Sequence, residues 1–257
     1  MCLITFSYET DASYPFVLIA NRDEAYSRPS LSIHEWKDAP DIIGGRDLQQ
    51  GGTWLAFSKS GKFAALTNYP FSNHQVTNPK SRGFLINDYL SSDISPIDYV
   101  SQLKQERAQF DGYHLLCGSI HPKVELMMYN NVDDRLTNYA PGIHAISNTY
   151  DDLSAFRKSQ SVKNLSHIMQ DEIDVNLMIE SFQNTEPNPR LKDFPSFLTL
   201  NQAKKASAIF VEGEGDFGTV STTAIVLDKS GELTMKEVRY PKNQPKESKE
   251  IKYNFIK

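Results

Sequence analysis

The sequence predicts an α+β sandwich, because its strand patterns follow one another in pairs and its helix patterns stand in separate groups. Along the 257 residues the order is strands, helices, strands, helices, strands. Short turn-rich links between consecutive strands favour hairpins and antiparallel sheets, and grouped helices favour layers that cover those sheets. Alternating βαβ units fit this order less well. The chain is long enough for a substantial core, and we expect one domain over residues 1–257.

The first third of the chain is predicted to consist of strands. Apolar runs bounded by turn residues predict them at residues 2–8, 15–21, 53–58 and 62–67. A Lys-Ser-Gly link at residues 59–61 predicts a hairpin between the last two. The polar residues 46–52 are predicted to form a loop at a sheet end, where functional residues are often found.

The remaining two thirds alternate between groups of helices and groups of strands. Helical periodicity predicts helices at residues 84–90, 96–105, 153–169 and 175–182. Strands are predicted at residues 113–119, 124–129, 144–147, 207–212, 219–227 and 232–239. Residues 184–195 contain Glu-Pro-Asn-Pro, which disfavours helix, and are predicted to form a surface excursion able to cover a pocket. Residues 240–257 are predicted to be a solvated end with one weak strand.

Composition narrows the classes of partner and cofactor. The net charge of −5 gives no basic field for nucleic acid or an anionic membrane, so small molecules or proteins are the expected partners. Two cysteines, Cys2 and Cys117, are too few for a disulfide framework, and a reducing cytoplasm is the expected location. No run approaches the ~20 apolar residues of a membrane span. The six histidines show no metal-site spacing, so we expect neither a metal nor another cofactor.

Cys2 is the leading candidate for a catalytic residue. Removal of Met1 would leave one residue that carries both a thiol and a free α-amine. The amine titrates near pH ~8 and can take the proton of the thiol, so the nucleophile and its base arrive together. The alternative is a small buried hydrophobic residue at the start of a strand.

Four polar residues, Asn21 to Glu24, directly follow the second predicted strand. Arg22 is a candidate for holding a substrate anion and Asp23 for orienting the terminal amine. Because neighbouring residues of a strand point to opposite faces, these two act together only if the chain turns. The alternative is a solvated strand end with a local ion pair. Asn21 and Glu24 are candidates for substrate binding.

The next segment is rich in glycine. Two Gly-Gly pairs, at residues 44–45 and 51–52, imply positive φ angles or a close approach of the backbone to other atoms. No helix follows, so a phosphate-binding loop is not indicated. Arg46 and Asp47 are candidates for contact with the Asn21–Glu24 cluster and for substrate binding. Trp54 either lines a pocket or packs in the core.

Two asparagines lie just beyond predicted strands. Asn68 and Asn148 are candidate hydrogen-bond donors to the oxyanion of an acyl transfer reaction. An asparagine at this position also commonly caps a turn. The sequence alone leaves both interpretations open.

Several motifs together resemble the NRDE family, also called transport and Golgi organisation protein 2-like. They are MC at the start, ANRDE, GGRDLQQGGTWLAF, GKFAALTNYP, SRGFL and HAISNTY, and the resemblance extends from Cys2 to about Asp228. It implies the N-terminal nucleophile hydrolase superfamily and a four-layer αββα sandwich of two antiparallel sheets. The layout is similar to that of the choloylglycine hydrolase and penicillin V acylase group. That similarity implies a site of five residues: Cys2, Arg22, Asp23, Asn68 and Asn148.

The sequence departs from the family pattern at one position. Relatives commonly carry arginine in a late Gly-Thr-Arg motif, whereas this chain has Gly218-Thr219-Val220. A valine side chain neither binds an anion nor donates a hydrogen bond. If that arginine serves chemistry in the family, this chain compensates elsewhere or has a changed activity.

The sequence is therefore compatible with three functions. The first is a cysteine amidohydrolase that acts on a linear amide or acyl compound. The second is a non-catalytic carrier or chaperone for haem or acyl-CoA-like amphipathic anions in intracellular trafficking. Its pocket would be lined by Arg22, Arg46 and aromatic side chains. The third is a structural protein in which Cys2 only packs.

Overall fold

The computed structural model describes residues 2–69, 74, 76–148, 151–213 and 215–256. The chain divides into two compact units. The first unit comprises Met1–Ser27 and Pro141–Tyr253, and the second comprises Arg28–Ala140 and Asn254–Lys257. A single domain over residues 1–257 stays a prediction. No helix among the described residues is both long and apolar enough to cross a membrane.

The first unit is built on a six-stranded antiparallel sheet with the order β10-β1-β2-β11-β12-β13. Its strands are β1 (Cys2–Tyr8), β2 (Phe16–Ala25), β10 (Gly142–Ser147), β11 (Phe217–Leu227), β12 (Glu232–Arg239) and β13 (Glu247–Asn254). Its helices are α3 (Asp152–Ile168), α4 (Val175–Ser181) and α5 (Leu200–Ala206).

The second unit contains a seven-stranded antiparallel sheet in chain order. Its strands are β3 (Ser30–Glu35), β4 (Ile42–Asp47), β5 (Leu55–Ser58), β6 (Lys62–Asn68), β7 (Tyr113–Ser119), β8 (Glu125–Asn130) and β9 (Arg135–Asn138). Its helices are α1 (Phe84–Leu90) and α2 (Pro96–Glu106), and a 3₁₀ turn follows at Arg107–Gln109. The core includes Trp36, Tyr89 and Tyr113, which are all buried.

In the first unit, every second side chain of β1 and β2 packs against the helices. Leu3, Val17 and Ile19 form a core cluster with Leu165 of α3 and Met178 of α4. Cys2 and Arg22 lie opposite each other in the β1 and β2 pairing, one residue out of phase with Leu3 and Asn21. Successive residues of a strand face opposite sides. Cys2 and Arg22 therefore share the sheet face that is turned away from α3 and α4.

Side-chain caps fix where the helices of this unit begin. Asp151 precedes α3, and its carboxylate accepts a hydrogen bond of 3.0 Å from the Ser154 N–H. Thr199 and Gln202 form a reciprocal capping box at the start of α5. Each cap satisfies backbone N–H groups that have no partner inside the helix.

Most predicted elements are present within four residues of their predicted bounds, but three predictions were wrong in detail. Residues 207–212 are not a strand: α5 ends at Ala206, and irregular backbone follows it. Ala208, Ile209 and Val211 are buried, which explains the apolar run that predicted a strand at this position. Arg46 and Asp47 lie inside β4 and not in a loop. The strands β3, β4 and β9 and the helix α5 were not predicted.

The second strand is longer than predicted. β2 continues to Ala25, so the cluster Asn21 to Glu24 lies inside the strand and not beyond its end. Arg22 and Asp23 therefore face opposite sides of the sheet. This placement decides what each of them contacts.

Candidate active site

Cys2 opens β1 and is held through its backbone. Its N–H donates a hydrogen bond of 2.6 Å to Oδ1 of Asn148. Its carbonyl oxygen accepts a hydrogen bond of 3.3 Å from the hydroxyl of Ser147. Leu3 pairs with Ser147, so β10 ends directly beside the start of β1. The structure thus brings the predicted residue Asn148 to Cys2, through its side-chain oxygen.

The thiol of Cys2 is weakly acidic in this environment. Burial raises the pKa of the Cys2 thiol, and the charge of Asp23 acts in the same direction. The backbone N–H of Asp23, which donates to the sulfur, and the charge of Arg22 act in the opposite direction without reversing the shift. At neutral pH the thiol is therefore protonated, and a nucleophilic role requires a base within reach.

Asp23 lies on the helix side of the sheet and is fully buried. Its Oδ2 accepts a hydrogen bond of 2.8 Å from Nη2 of Arg157, and its Oδ1 accepts one of 2.6 Å from the hydroxyl of Thr219. The predicted residue Asp23 thus reaches Cys2 through its backbone N–H, while its carboxylate binds Arg157 and Thr219.

Sequence reasoning missed Arg157. The signal was present, because Arg157 lies on the buried stripe of α3 formed by Leu153, Ser161 and Leu165. An arginine on such a stripe is unusual, since arginine is almost never fully buried unless it is paired. Its partner, Asp23, is 134 residues away in the sequence.

Asn21 makes contacts that join the sheet to the layer of helices. Its Nδ2 donates to the carbonyl oxygens of Phe182 at 3.0 Å and Ile209 at 2.9 Å. Its Oδ1 accepts a hydrogen bond of 2.7 Å from the hydroxyl of Thr222. The side chain is buried. These contacts give Asn21 a structural role, and its assignment to substrate binding stays a prediction.

Glu24 is half-buried near the end of β2, where it pairs with Gly218 of β11. Its Oε1 accepts a hydrogen bond of 2.9 Å from the N–H of Ala25. Substrate binding by Glu24 stays a prediction.

The other predicted site residues belong to the second unit. The guanidinium of Arg46 pairs with Asp38, donates to the Gly51 carbonyl at 3.1 Å and lies 4.2 Å from the ring centre of Trp36. Asp47 accepts a hydrogen bond of 2.9 Å from Nε of Arg28. Substrate binding by Arg46 and Asp47 stays a prediction.

Trp54 and Asn68 complete the predicted set. Trp54 packs so closely over Gly45 that a Cβ on this glycine would lie 2.5 Å from the indole ring. Asn68 ends β6 opposite Tyr113. Their roles in substrate binding and in catalysis stay predictions.

Val220 is the additional residue of a β-bulge. Thr219 pairs with Asp23 and Ser221 pairs with Arg22, so Val220 has no opposing residue on β2. Its carbonyl oxygen accepts a hydrogen bond of 2.9 Å from the N–H of Tyr240. The bulge places Ser221 in one row with Arg22 and Cys2 across three neighbouring strands.

Solved structures of other proteins share this fold. A conjugated bile acid hydrolase from Clostridium perfringens aligns with a TM-score of 0.55 and 12% identity over 99% of this chain and 98% of its own. The Caenorhabditis elegans N-acylethanolamine-hydrolyzing acid amidase orthologue aligns with a TM-score of 0.52 and 13% identity over 88% and 92%. These alignments and the two antiparallel sheets with their helices confirm the predicted α+β fold class.

Sequence comparison identifies the family. The Homo sapiens Transport and Golgi organization protein 2 homolog is 29% identical over 92% of both chains, and the Bos taurus protein of the same name is 28% identical over 92% of both. The profile of the family described as Transport and Golgi organisation 2 matches residues 1–242. Because this match covers almost the whole sequence, the chain belongs to the Transport and Golgi organisation 2 family.

Proposed function

We propose that the protein is a cysteine amidohydrolase of the N-terminal nucleophile type, acting on a linear amide or acyl compound. The observation that carries this proposal is the contact of 2.6 Å between the Cys2 nitrogen and Oδ1 of Asn148. It fixes the nitrogen that becomes the α-amine once Met1 is removed. An amine held beside its own thiol is a nucleophile with its base already in place.

The raised thiol pKa makes this base necessary. Because burial keeps the Cys2 thiol protonated at neutral pH, the sulfur must lose its proton as it attacks. The α-amine, which titrates near pH ~8, is a suitable acceptor. Asn148 supports this role because its side-chain oxygen accepts a hydrogen bond from the Cys2 nitrogen. This hydrogen bond fixes the direction of the lone pair on that nitrogen.

The proposed reaction proceeds in two stages. In the first, the α-amine takes the thiol proton, the sulfur forms a bond to the carbonyl carbon, and the carbon–nitrogen bond breaks. The ammonium gives its proton to the departing amine, which leaves an acyl thioester on Cys2. In the second stage water attacks the thioester, the α-amine takes a proton from the water and returns it to the sulfur, and a carboxylic acid is released.

The first experiment is intact-mass spectrometry combined with an acyl probe. We expect the mature protein to lack Met1 and an activated acyl ester to modify Cys2. Cys117 is an internal control, because it is fully buried and its thiol pKa is raised to about 12. Labelling should disappear in Cys2→Ala and persist in Cys117→Ala. Retention of Met1, or labelling of Cys117 alone, would overturn the proposal.

The contacts of Arg46 weaken the carrier hypothesis, which needs this arginine to bind the anionic ligand. Arg46 is already bound to Asp38 and Gly51 and stacked on Trp36. Arg22 remains as its cationic residue. Titration with haem and with acyl-CoA tests it. Binding that is lost in Arg22→Ala, retained in Cys2→Ala and not followed by acyl transfer would favour the carrier.

The cellular location is part of the proposal. A cytoplasmic protein is expected from the cysteine usage, and neither cysteine is in a disulfide bond. Fractionation of cells that express the tagged full-length chain tests this expectation.

A further inference from the structure

We infer that Arg157 is a positioning residue for Cys2, acting through Asp23 from the opposite side of the sheet. In this role Arg157 neutralises and fixes the Asp23 carboxylate beneath α3, and Asp23 keeps its backbone N–H on the Cys2 sulfur. The significance of this arrangement for catalysis rests on the proposed function. The arrangement itself rests on contacts within the first unit.

The contacts of Asp23 connect three parts of the unit. Nη2 of Arg157 binds Asp23 at 2.8 Å and also donates to the carbonyl oxygen of Ile209 at 3.0 Å. Thr219 donates its hydroxyl to Asp23 and accepts a hydrogen bond of 2.8 Å from the N–H of Val211. Helix α3, strand β11 and the segment after α5 therefore all hold Asp23, whose N–H reaches Cys2.

Arg157 is poorly suited to a purely structural role. Its side chain is fully buried, and its Nε and Nη1 have no hydrogen-bond partner among the described residues. Unsatisfied buried N–H groups are unfavourable, and a well-packed apolar pair often replaces a buried ion pair without loss of stability. A charged pair at this position is better explained by an effect on its neighbours.

The charge of Asp23, to which Arg157 is bound, acts on Cys2. The negative charge of Asp23 raises the pKa of the Cys2 thiol, and a cation bound to Asp23 offsets that effect. The other charged and titratable groups that act on the pair include Arg22, which lowers the pKa of the thiol, and Tyr26. Burial, followed by the charges of Asp23 and Glu212, raises the pKa of Tyr26, so its phenol stays neutral near pH 7.

The test measures the acidity of Cys2 directly. The rate of iodoacetamide alkylation of Cys2 is followed against pH by peptide mass spectrometry in the full-length protein. Arg157→Gln removes the charge but keeps a hydrogen-bond donor for Asp23. It should raise the midpoint of the pH–rate curve for Cys2 alkylation by about one pH unit. Arg157→Lys should stay near wild type. Lys163→Met removes an exposed positive charge from the same helix and is the matched control.

A double variant keeps the test decisive if Arg157→Gln does not fold. Asp23→Asn leaves the Arg157 charge uncompensated and should lower the alkylation midpoint, whereas Asp23→Asn/Arg157→Gln removes both charges and should return it to within a few tenths of a unit of wild type. Equal midpoints in these two folded variants would overturn the inference. Circular dichroism establishes which variants are folded. An unchanged midpoint in folded Arg157→Gln overturns the inference. So does a shift of about one unit in the double variant.

The two proposals fail in distinguishable ways, because alkylation needs no turnover. If Cys2 never forms an acyl thioester but its midpoint responds to Arg157, only the amidohydrolase proposal fails. If Cys2 is acylated but its midpoint ignores Arg157, only the positioning role fails.

Discussion

The backbone nitrogen of Cys2 lies 2.6 Å from Oδ1 of Asn148, although 146 residues separate the two in the sequence. Strand pairing produces this contact, since β10 runs beside β1 and ends at Ser147 opposite Leu3. A residue directly after β10 must therefore lie beside the residue directly before Leu3. The position of Asn148 is a consequence of sheet register.

Replacing Asn148 with leucine should slow acylation of Cys2. The variant loses the acceptor that orients the Cys2 nitrogen, which becomes charged when it takes the thiol proton. A hydrogen bond to a charged group contributes about 1.5–3 kcal/mol, which corresponds to a ~10- to 100-fold effect on the rate. The measurement is the rate of Cys2 modification by an activated acyl ester, at equal folded fractions.

Asn176→Leu serves as the matched control, because Asn176 is exposed on α4. It should leave the acylation rate unchanged. Equal rates for Asn148→Leu and wild type would contradict a role of Asn148 in orienting the Cys2 nitrogen.

Cys117 should make the protein less stable at alkaline pH. Burial raises the pKa of its thiol to about 12, well above the ~8.5 of an unfolded chain. A raised folded-state pKa contributes stability that is fully present below about pH 8.5 and is lost as the pH rises towards 12. Urea midpoints measured between pH 8 and 11 should therefore fall.

The slope of that fall should be smaller in Cys117→Ala, because the titrating thiol is gone. It should not vanish, since burial also raises the pKa of Tyr240 to about 12. Parallel curves for the variant and wild type would show that the thiol of Cys117 makes no contribution.

The elements that the sequence predicted best have an uninterrupted local pattern. β1, β7, β12 and α1 were predicted with correct bounds, because their apolar runs begin and end at clear turn or cap residues. β4 was missed since Gly44 and Gly45 have low strand propensity. The reason for glycine at these two positions of β4 is visible only in the structure, where Ala56 and Trp54 occupy the space that a Cβ would fill.

The candidate site was predictable in its residues more than in its geometry. Motifs identified Cys2, Asp23 and Asn148, and the structure places all three together. The sequence did not predict that β2 continues past Asp23, which turns that carboxylate away from Cys2 and towards Arg157. Such a contact depends on which helix covers the sheet, and no local pattern encodes it.

Gly44 should be sensitive to the smallest possible side chain. A Cβ at Gly44 would lie 2.6 Å from Cβ of Ala56 and 2.7 Å from the Leu55 carbonyl oxygen. Overpacking of this kind destabilises a core by about 1–3 kcal/mol, so Gly44→Ala should lower the free energy of unfolding by that amount. Urea denaturation followed by circular dichroism measures it.

A second substitution tests the cause. Ala56→Gly removes the contact with Cβ of Ala56, so Gly44→Ala/Ala56→Gly should be destabilised by less than the sum of the two single variants. Simple additivity would mean that the Cβ at position 44 finds room without touching Ala56.

Asn21 should contribute to stability more than to reactivity. Asn21→Ala removes three buried hydrogen bonds, which leaves the carbonyl oxygens of Phe182 and Ile209 and the hydroxyl of Thr222 without this partner. With each bond contributing about 0.5–1.5 kcal/mol, the free energy of unfolding should fall by ~2–4 kcal/mol. Acylation of Cys2 in the folded fraction should stay near the wild-type rate, because the side chain of Asn21 faces the helices. Unchanged stability together with a raised KM for an acyl substrate would instead place Asn21 in substrate binding.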